Sequence, residues 1–312
     1  MQTLKQWLKG VLWRVNRATL RLPARPGTQE FSIAIYRGRT PFSLGMTADV
    51  RNPVLTRKDV TDVPAAFVAD PFICKFGERW YMFFEVMNRV NWRGEIGFAT
   101  SEDGRRWQYQ RIVLAEGFHL SYPYVFEWQH EHYMIPESRQ ANEVRLYKAT
   151  NFPHEWSHVR TILQGPLVDS SIFRYQDRWW LFAATQVNAD PPSLRLYAAN
   201  DLMGPWLEHP SSPILKANHH LSRPCGRIVF VNDRPIRFAQ DVFPVYGSRV
   251  FAFEILDLSS ETYKERQVGA GPVLSAGSEL WNSGGMHHVD AHPLADGTWL
   301  ACVDGFRKFD SH

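Results

Sequence analysis

Beyond residue 30 the chain alternates short apolar runs with turn residues every ~8–14 positions, the signature of successive β-strands. Read for self-similarity, the runs fall into units. The first is "ADPFICKF", "RWYMFFE", "GEIGFATS", "WQYQRIVL" and the second "SYPYVFEW", "EHYMIPES", "EVRLYKAT", "WSHVRTIL". A third follows as "DSSIFRYQ", "RWWLFAAT", "SLRLYAAN", closed by "WLEHPSSPIL". A fourth reads "SRPCGRIVFV", "RPIRFAQD", "RVFAFEIL", "TYKERQVG", and a fifth begins at "HHVDAHPLADGTWLACVDG". Four strands over ~50 residues is the size of a propeller blade. The expected fold is all-β, a five-bladed β-propeller with four-stranded blades over residues 31–312. The fifth unit lacks an outer partner, which "FSIAIYRG" at residues 31–38 supplies, so that the ring closes without an open sheet edge. Two stacked sandwiches fit the same strand signals but leave the repeat unexplained.

A different pattern precedes it. In residues 1–26, Leu4, Trp7, Leu8, Val11, Val15, Ala18 and Leu22 recur at helical spacing, and Lys5, Lys9, Arg14, Arg17 and Arg21 lie mostly off that stripe. Pro23 and Pro26 stop the helix. A basic amphipathic helix with tryptophan on its apolar side suits an anionic membrane surface, and docking on its own domain is the plainer alternative. The interrupting charges argue against a cleavable signal peptide.

In a propeller the first strand of each blade lines the central channel. The residues opening these strands are Asp70, Tyr122, Asp169, Arg223, and His288 with Asp290; the second strands end in Glu85, Glu137, Thr185, Asp241 and Asp304. Inner strands ordinarily favour small apolar residues, so a polar and ionisable set marks a site. Asp70, Glu137 and Asp169 are the candidate catalytic carboxyls. Glycosidic-bond chemistry uses one carboxylate as base or nucleophile and a second carboxyl kept protonated as acid. Tyr122, Arg223, His288, Asp290, Glu85 and Asp241 are the candidate substrate-binding shell. Each has a structural alternative: Asp70 before Pro71 caps a turn, Asp169 caps a loop, Arg223 pairs with a buried carboxylate, and Glu85 and Asp241 support their neighbours. The run His287, His288, Asp290, His292 has metal-ligand chemistry. A divalent metal near His288 is therefore an alternative, although strand alternation splits those residues between two faces.

Composition narrows the classes. The chain has 312 residues, 44% hydrophobic and 14% aromatic, with a formal net charge of +3. That charge, without a basic stripe in the body of the chain, gives no argument for nucleic acid. Three cysteines, in apolar stretches, read as reduced thiols in a cytoplasmic compartment. No apolar run of ~18 residues is present to span a membrane.

The motifs "ADPFI…W…FFE", "SYPYVFE…Y.IPE", "DSSIF…W.LF", "SRP.GR…RP…QD" and "HHVDAHPL.DG" resemble the N-terminal domain of glucosamine inositolphosphorylceramide transferases and its bacterial relatives over most of residues 31–306. More distantly, the Asp-Pro-Phe that opens the first blade is similar to the five-bladed glycosidases of the arabinanase, xylosidase and invertase type. That likeness implies Asp70 as base or nucleophile and Asp169 as a second acidic residue; Glu137 is the nearest candidate acid, at a blade position that departs from theirs. With no DxD triplet and no Gly-rich phosphate loop, sugar transfer by this chain falls to the propeller itself, with one carboxylate as base and Arg223 on a leaving phosphate. The expectation is a glycosyltransferase of surface-glycan or glycolipid synthesis, acting on a sugar donor or glycan at the cytosolic membrane face. A glycoside hydrolase, and a non-catalytic glycan-binding propeller beside a separate transferase partner, are the alternatives.

Overall fold

The computed structural model describes residues 29–186 and 190–307. The helix expected in residues 1–26 lies outside the described residues. Five sheets succeed one another along the chain, each antiparallel from its inner strand outward. The first blade runs Ala65–Phe76, Arg79–Asn88, Arg93–Ser101, Gln108–Leu114 and the second Ser121–Trp128, Glu131–Glu137, Glu143–Asn151, Glu155–Gln164. The third has Leu167–Tyr175, Arg178–Thr185, Ser193–Ala199 and a two-residue outer strand, Leu207–Glu208. In the fourth, Arg234–Asp241, Arg249–Leu258 and Tyr263–Gln267 follow an inner strand broken into Arg223–Pro224 and Val229–Val231. The five-bladed propeller read from the repeat is the fold.

The fifth blade is assembled from both ends of the sequence. Gly285–Pro293 is innermost, Trp299–Phe306 pairs with it, and Phe31–Gly38 pairs with Trp299–Phe306 from Phe31↔Phe306 to Gly38↔Trp299. The closing strand is third in its blade rather than outermost, because Leu44–Gly45 folds back on it as a fourth. Asn52 covers much of the remaining edge: its side chain accepts from the Ile35 N–H at 2.9 Å and donates to the Ile35 carbonyl at 2.8 Å. An edge satisfied by a side chain is blunted against further pairing.

The cores lie between blades, because each sheet buries both faces. Ile33, Ile35 and Cys302 of the fifth blade meet Ile73, Met82 and Phe84 of the first. Phe173, Phe182 and Leu196 of the third meet Ile228 and Ile255 of the fourth. Strand direction then puts every second-to-third-strand connection at the end of the ring where Asp70 and Asp169 sit. Phe31 and Phe306, the ends of the paired terminal strands, lie at that same end.

The broken fourth inner strand follows from close packing on the fifth. Gly226 has φ +142°, and a Cβ there would lie 1.7 Å from the Val289 carbonyl oxygen. Its carbonyl accepts from Ser171 Oγ at 2.9 Å and from the Tyr122 hydroxyl at 3.1 Å, which ties three blades together across the channel. We expect Gly226→Ala to lower stability by on the order of 3 kcal/mol or more, read as the shift in a denaturant unfolding midpoint. A change within ~0.5 kcal/mol would contradict this packing.

Candidate active site in the funnel

Three inner strands break their ladder at the same place. The register slips between Ala69 and Phe72, Ser121 and Tyr124, and Val168 and Ser171, and the residue after the first of each pair takes a left-handed backbone: Asp70 (φ 53°), Tyr122 (φ 46°), Asp169 (φ 52°). Such a conformation is costly for a residue with a Cβ and persists where surrounding structure over-determines it. In the fifth blade the slip falls between Gly285 and His288. At two of these bulges the side chains, Asp70 and Asp169, reach the cavity at the mouth of the channel.

A cavity of about 320 Å³ opens there, lined among others by Phe31, Asp70, Glu85, His119, Glu137, Arg139, Asp169, Gln186, Arg223, Tyr246 and His287. All three candidate catalytic residues reach it, with Arg223 and Glu85. Asp304, at the end of its strand, accepts from the Asp70 N–H at 2.9 Å through Oδ2 and pairs with His287 Nδ1 at 2.6 Å through Oδ1. His287 Nε2 stands 3.4 Å from Asp70 Oδ1, and the Tyr122 N–H donates to Asp70 Oδ2 at 3.2 Å. Asp304, His287 and Asp70 thus form a relay that runs from the interior to the cavity.

Across from it, Arg223 donates through Nε to Asp169 Oδ2 at 2.6 Å and through Nη1 to Gln186 Oε1 at 2.9 Å, and lies 3.9 Å from Glu137 Oε2. Gln240 adds a bond to Asp169 at 3.2 Å. The Tyr246 ring caps Arg223 at 5.2 Å and meets the His287 ring at 5.4 Å. His119 accepts from the Gly94 N–H through Nδ1 at 2.8 Å, so its proton sits on Nε2, 3.5 Å from Glu85 Oε1.

Burial and mutual repulsion push the carboxyls upward. Asp70 rises to about 7, first by burial and then by Asp304 and Asp169, against the pull of His287 and Arg223. Asp169 rises to about 6 by burial, with Arg223 opposing. Glu137 is raised by burial against Arg223, and Glu85 is raised well above the carboxylate range by burial, Asp70 and Glu137. Burial disfavours the charged His287, yet Asp304 overrides it and raises the imidazole; Asp304 is likewise held low by His287 in spite of burial. The cavity therefore presents two aspartic carboxyls raised to about 6 and about 7 beside the Arg223 and Arg139 guanidiniums.

Four residues expected in the shell do not line this cavity. Tyr122 is buried across the channel, its hydroxyl 2.8 Å from Ser171 Oγ, and it offers the site only its backbone N–H. His288 is packed between Phe72 and Tyr122, and burial lowers it to about 4, so it is neutral. Asp290 accepts from Arg227 at 2.8 Å and the Ile73 N–H at 2.7 Å; burial opposes its charge, but Arg227 holds it at about 2. Asp241 accepts from Arg249 at 2.6 Å and faces His220 at 2.9 Å, behind the rim. With the slip between Gly285 and His288, it is His287 rather than His288 that reaches the cavity. His287, Asp70 and Asp304 have ligand atoms within 4.8 Å of one another, which is the metal-competent group of this site. His287 already spends Nδ1 on Asp304, and a cation taking Nε2 and Asp70 would leave that bond in place. His119, Gln186 and Tyr246, all from connections between strands, have no counterpart in the repeat and were not among the expected residues.

A buried carboxyl with a raised pKa carries an energetic sign. Asp70 binds its proton more tightly folded than unfolded, so stability is lost as pH rises from 3.8 through about 7. Asp70→Asn should melt about 2–6 °C above the parent at pH 8, with the gap closing toward pH 4, by differential scanning calorimetry. An equal gap at both pH values would contradict a titrating Asp70.

A family model described as "Glucosamine inositolphosphorylceramide transferase 1, N-terminal" matches residues 26–306. Glucosamine inositolphosphorylceramide transferase 1 of Oryza sativa subsp. japonica is 37% identical over 315 residues, which cover 94% of this chain and 42% of that protein. The chain thus spans less than half the length of this curated relative. Among solved structures, the β-1,2-mannobiose phosphorylase of Listeria innocua aligns with a TM-score of 0.61 at 12% identity, covering 87% of this chain and 96% of that one. The exo-β-1,3-galactanase of Clostridium thermocellum aligns with a TM-score of 0.56 at 13% identity, over 68% of this chain and 51% of that one. At such identity these two likenesses speak to fold alone. A match that spans the whole propeller decides kinship: the chain belongs to the family of the N-terminal domain of glucosamine inositolphosphorylceramide transferase 1.

Proposed function

We propose that this chain is a carbohydrate-active enzyme that acts at a glycosidic bond in the funnel, and that it transfers a glycosyl group in surface-glycan or glycolipid synthesis. The observation that carries the reading is the Asp304–His287–Asp70 relay facing Asp169, Glu137 and Arg223 across one cavity. Asp70, pushed up to about 7, is poised as the general base, since a base works best with a pKa near the working pH. It takes the proton of an acceptor hydroxyl as that oxygen attacks the anomeric carbon and the bond to the leaving group breaks. His287, whose imidazole is raised by its pairing with Asp304, positions Asp70 and in its protonated form steadies the Asp70 anion. Arg223, fixed by Asp169 and Gln186, faces the departing oxygen when that group leaves as an anion. Glu85, raised well above the carboxylate range by burial, or Glu137, raised less strongly, supplies a proton when it does not.

The family membership supports the transfer reading, since the curated relatives are named as transferases. The same carboxyl set serves a water acceptor equally well, which makes hydrolysis the second reading. The carboxyl separation distinguishes stereochemistry in hydrolases, about 5–5.5 Å for retention and roughly 6.5–9.5 Å for inversion.

Turnover of nucleotide sugars with lipid-linked or soluble acceptors, and of oligosaccharides in water, tests the proposal. Asp70→Asn should lose about 10²–10⁴-fold in rate, with ligand binding retained. The rate should fall as pH drops through about 7, because the base must be ionised. His287→Gln removes the cation that lowers Asp70, so this limb should move to higher pH. Full turnover by Asp70→Asn would overturn the assignment. Ligand binding by the parent chain without turnover of any donor or glycan would make it an accessory propeller.

A further inference from the structure

The mouth of the funnel holds a cation that the chemistry above leaves unused. Two of the basic groups there have an acid of their own. Arg223 sets Nε and Nη2 on Asp169 Oδ2 at 2.6 Å, and His287 sets Nδ1 on Asp304 Oδ1 at 2.6 Å. His119 is neutral, lowered to about 4 by burial and then by Arg139. Arg139 lines the same cavity and makes no ion pair among the described residues. Its Nη1 donates to the Gln186 backbone carbonyl at 3.2 Å, and its other N–H groups have no hydrogen-bond partner among the described residues.

The chain holds this guanidinium in place. Arg139 opens a short turn, Arg139–Ala141, two residues after Glu137 ends its strand. Buried Ser138 anchors the turn through Oγ on the Glu143 carbonyl at 2.6 Å, and the Ala141 N–H closes on the Ser138 carbonyl at 2.9 Å. Asn142, left-handed at φ 57°, returns its N–H to the Arg139 carbonyl at 2.8 Å. Gln140 Oε1 accepts from the His119 N–H at 2.9 Å. Gln186 then draws two guanidiniums together, because its carbonyl takes Arg139 Nη1 and its side-chain Oε1 takes Arg223 Nη1 at 2.9 Å.

The charge left over decides the ligand. Asp169 already answers Arg223, and Glu137, raised by burial, feels Arg139 only through space and less than it feels Arg223. An anion completes this rim. A carboxylate is planar and satisfies one guanidinium edge, whereas the oxygens of a phosphate point in several directions and reach two guanidiniums at once. We propose that Arg139, with the Nη1 side of Arg223, forms a phosphate subsite at the rim of the funnel, so that the ligand taken there carries a phosphate beside its sugar. Its role, though not its binding, rests on the glycosidic-bond reading of the cavity. A phosphate on the anomeric carbon leaves with the electron pair of the broken C–O bond, while the proton of the acceptor hydroxyl passes to Asp70. Arg139 meets the charge that the phosphate gains, and no carboxyl need donate a proton. The cavity of about 320 Å³ is near the small end of ligand pockets, ~300–1,000 Å³. That size suits one sugar and a phosphate better than a long glycan.

The test is calorimetric titration of the full chain with inorganic phosphate, pyrophosphate and dimethyl phosphate, with acetate as the carboxylate control, all at one ionic strength. The parent should bind a phosphate probe at millimolar concentration and acetate on the order of tenfold more weakly. Each preference supports the subsite and names the source: pyrophosphate an activated donor, inorganic phosphate a free co-substrate, dimethyl phosphate a lipid headgroup diester. Arg139→Gln should weaken the preferred probe by on the order of tenfold to a hundredfold at an unchanged melting temperature. Arg139→Lys should recover part of that loss, since it restores the charge without the fork. A parent that binds none of the phosphate probes, or binds acetate equally well, would overturn the subsite, as would unchanged affinity in Arg139→Gln. Binding is read without turnover. Turnover that depends on Asp70 in a chain that binds no phosphate would keep the glycosidic chemistry and discard the subsite. Phosphate binding that depends on Arg139, in a chain that turns over no sugar, would do the reverse.

Discussion

The closure of the ring holds everything else in place. Pairing Phe31–Gly38 with Trp299–Phe306 joins chain segments more than 260 residues apart and covers the outer edge of Trp299–Phe306. The seam it makes is also where the site is fastened. Asp304 in the last strand holds the Asp70 N–H, Asp290 in the strand beside it holds the Ile73 N–H, and Cys302 lies 3.0 Å from the Pro71 carbonyl. The left-handed Asp70 is over-determined by these contacts. Without closure its backbone would lose its partner, and the carboxyl would lose the histidine that lets it ionise.

That arrangement sets stability against function. Asp70, Glu85, Glu137 and Asp169 share one small cavity with Arg223 and His287, and a fold selected for stability alone would not gather so many carboxyls away from water. The seam resolves the tension unevenly. Asp290 has Arg227 and a backbone donor, and stays ionised as a structural anion. Asp70 is left with a histidine at 3.4 Å and a backbone N–H, which is too little to keep it in the ordinary carboxylate range. Identical residue types thus divide into an anion held at about 2 and a carboxyl raised to about 7 according to their partners.

Much of this was legible in the sequence and some of it was not, for physical reasons. Blade number, strand order and the closing strand follow from a repeat in which apolar periodicity changes at regular intervals. Asp70, Asp169, Glu137, Glu85 and Arg223 follow from the same repeat, because equivalent positions of a ring converge on its axis. His287 was read only as part of a metal-ligand run and His288 as the channel residue, because a β-bulge shifts side-chain alternation by one, and nothing in "GMHHVDAH" says where the extra residue falls. Tyr122 carried the right position with the wrong orientation: its left-handed backbone sends the ring across the channel. His119, Gln186 and Tyr246 come from loops, whose geometry the periodicity of strands does not constrain. Asp290 and Asp241 were expected at the cavity because a charged residue in an apolar strand needs a partner; they lie outside it, paired with Arg227 and Arg249.

The central claim is that burial within a ring of carboxyls holds Asp70 near neutrality as a working base. Carboxyl ¹³C NMR of the aspartate-labelled chain, with Asp70→Asn to assign the resonance, measures it directly. The account predicts a titration midpoint at about 7. A midpoint at the ordinary aspartate value of 3.8 would contradict it, leaving Asp70 a permanently ionised partner of His287 and the funnel without its base.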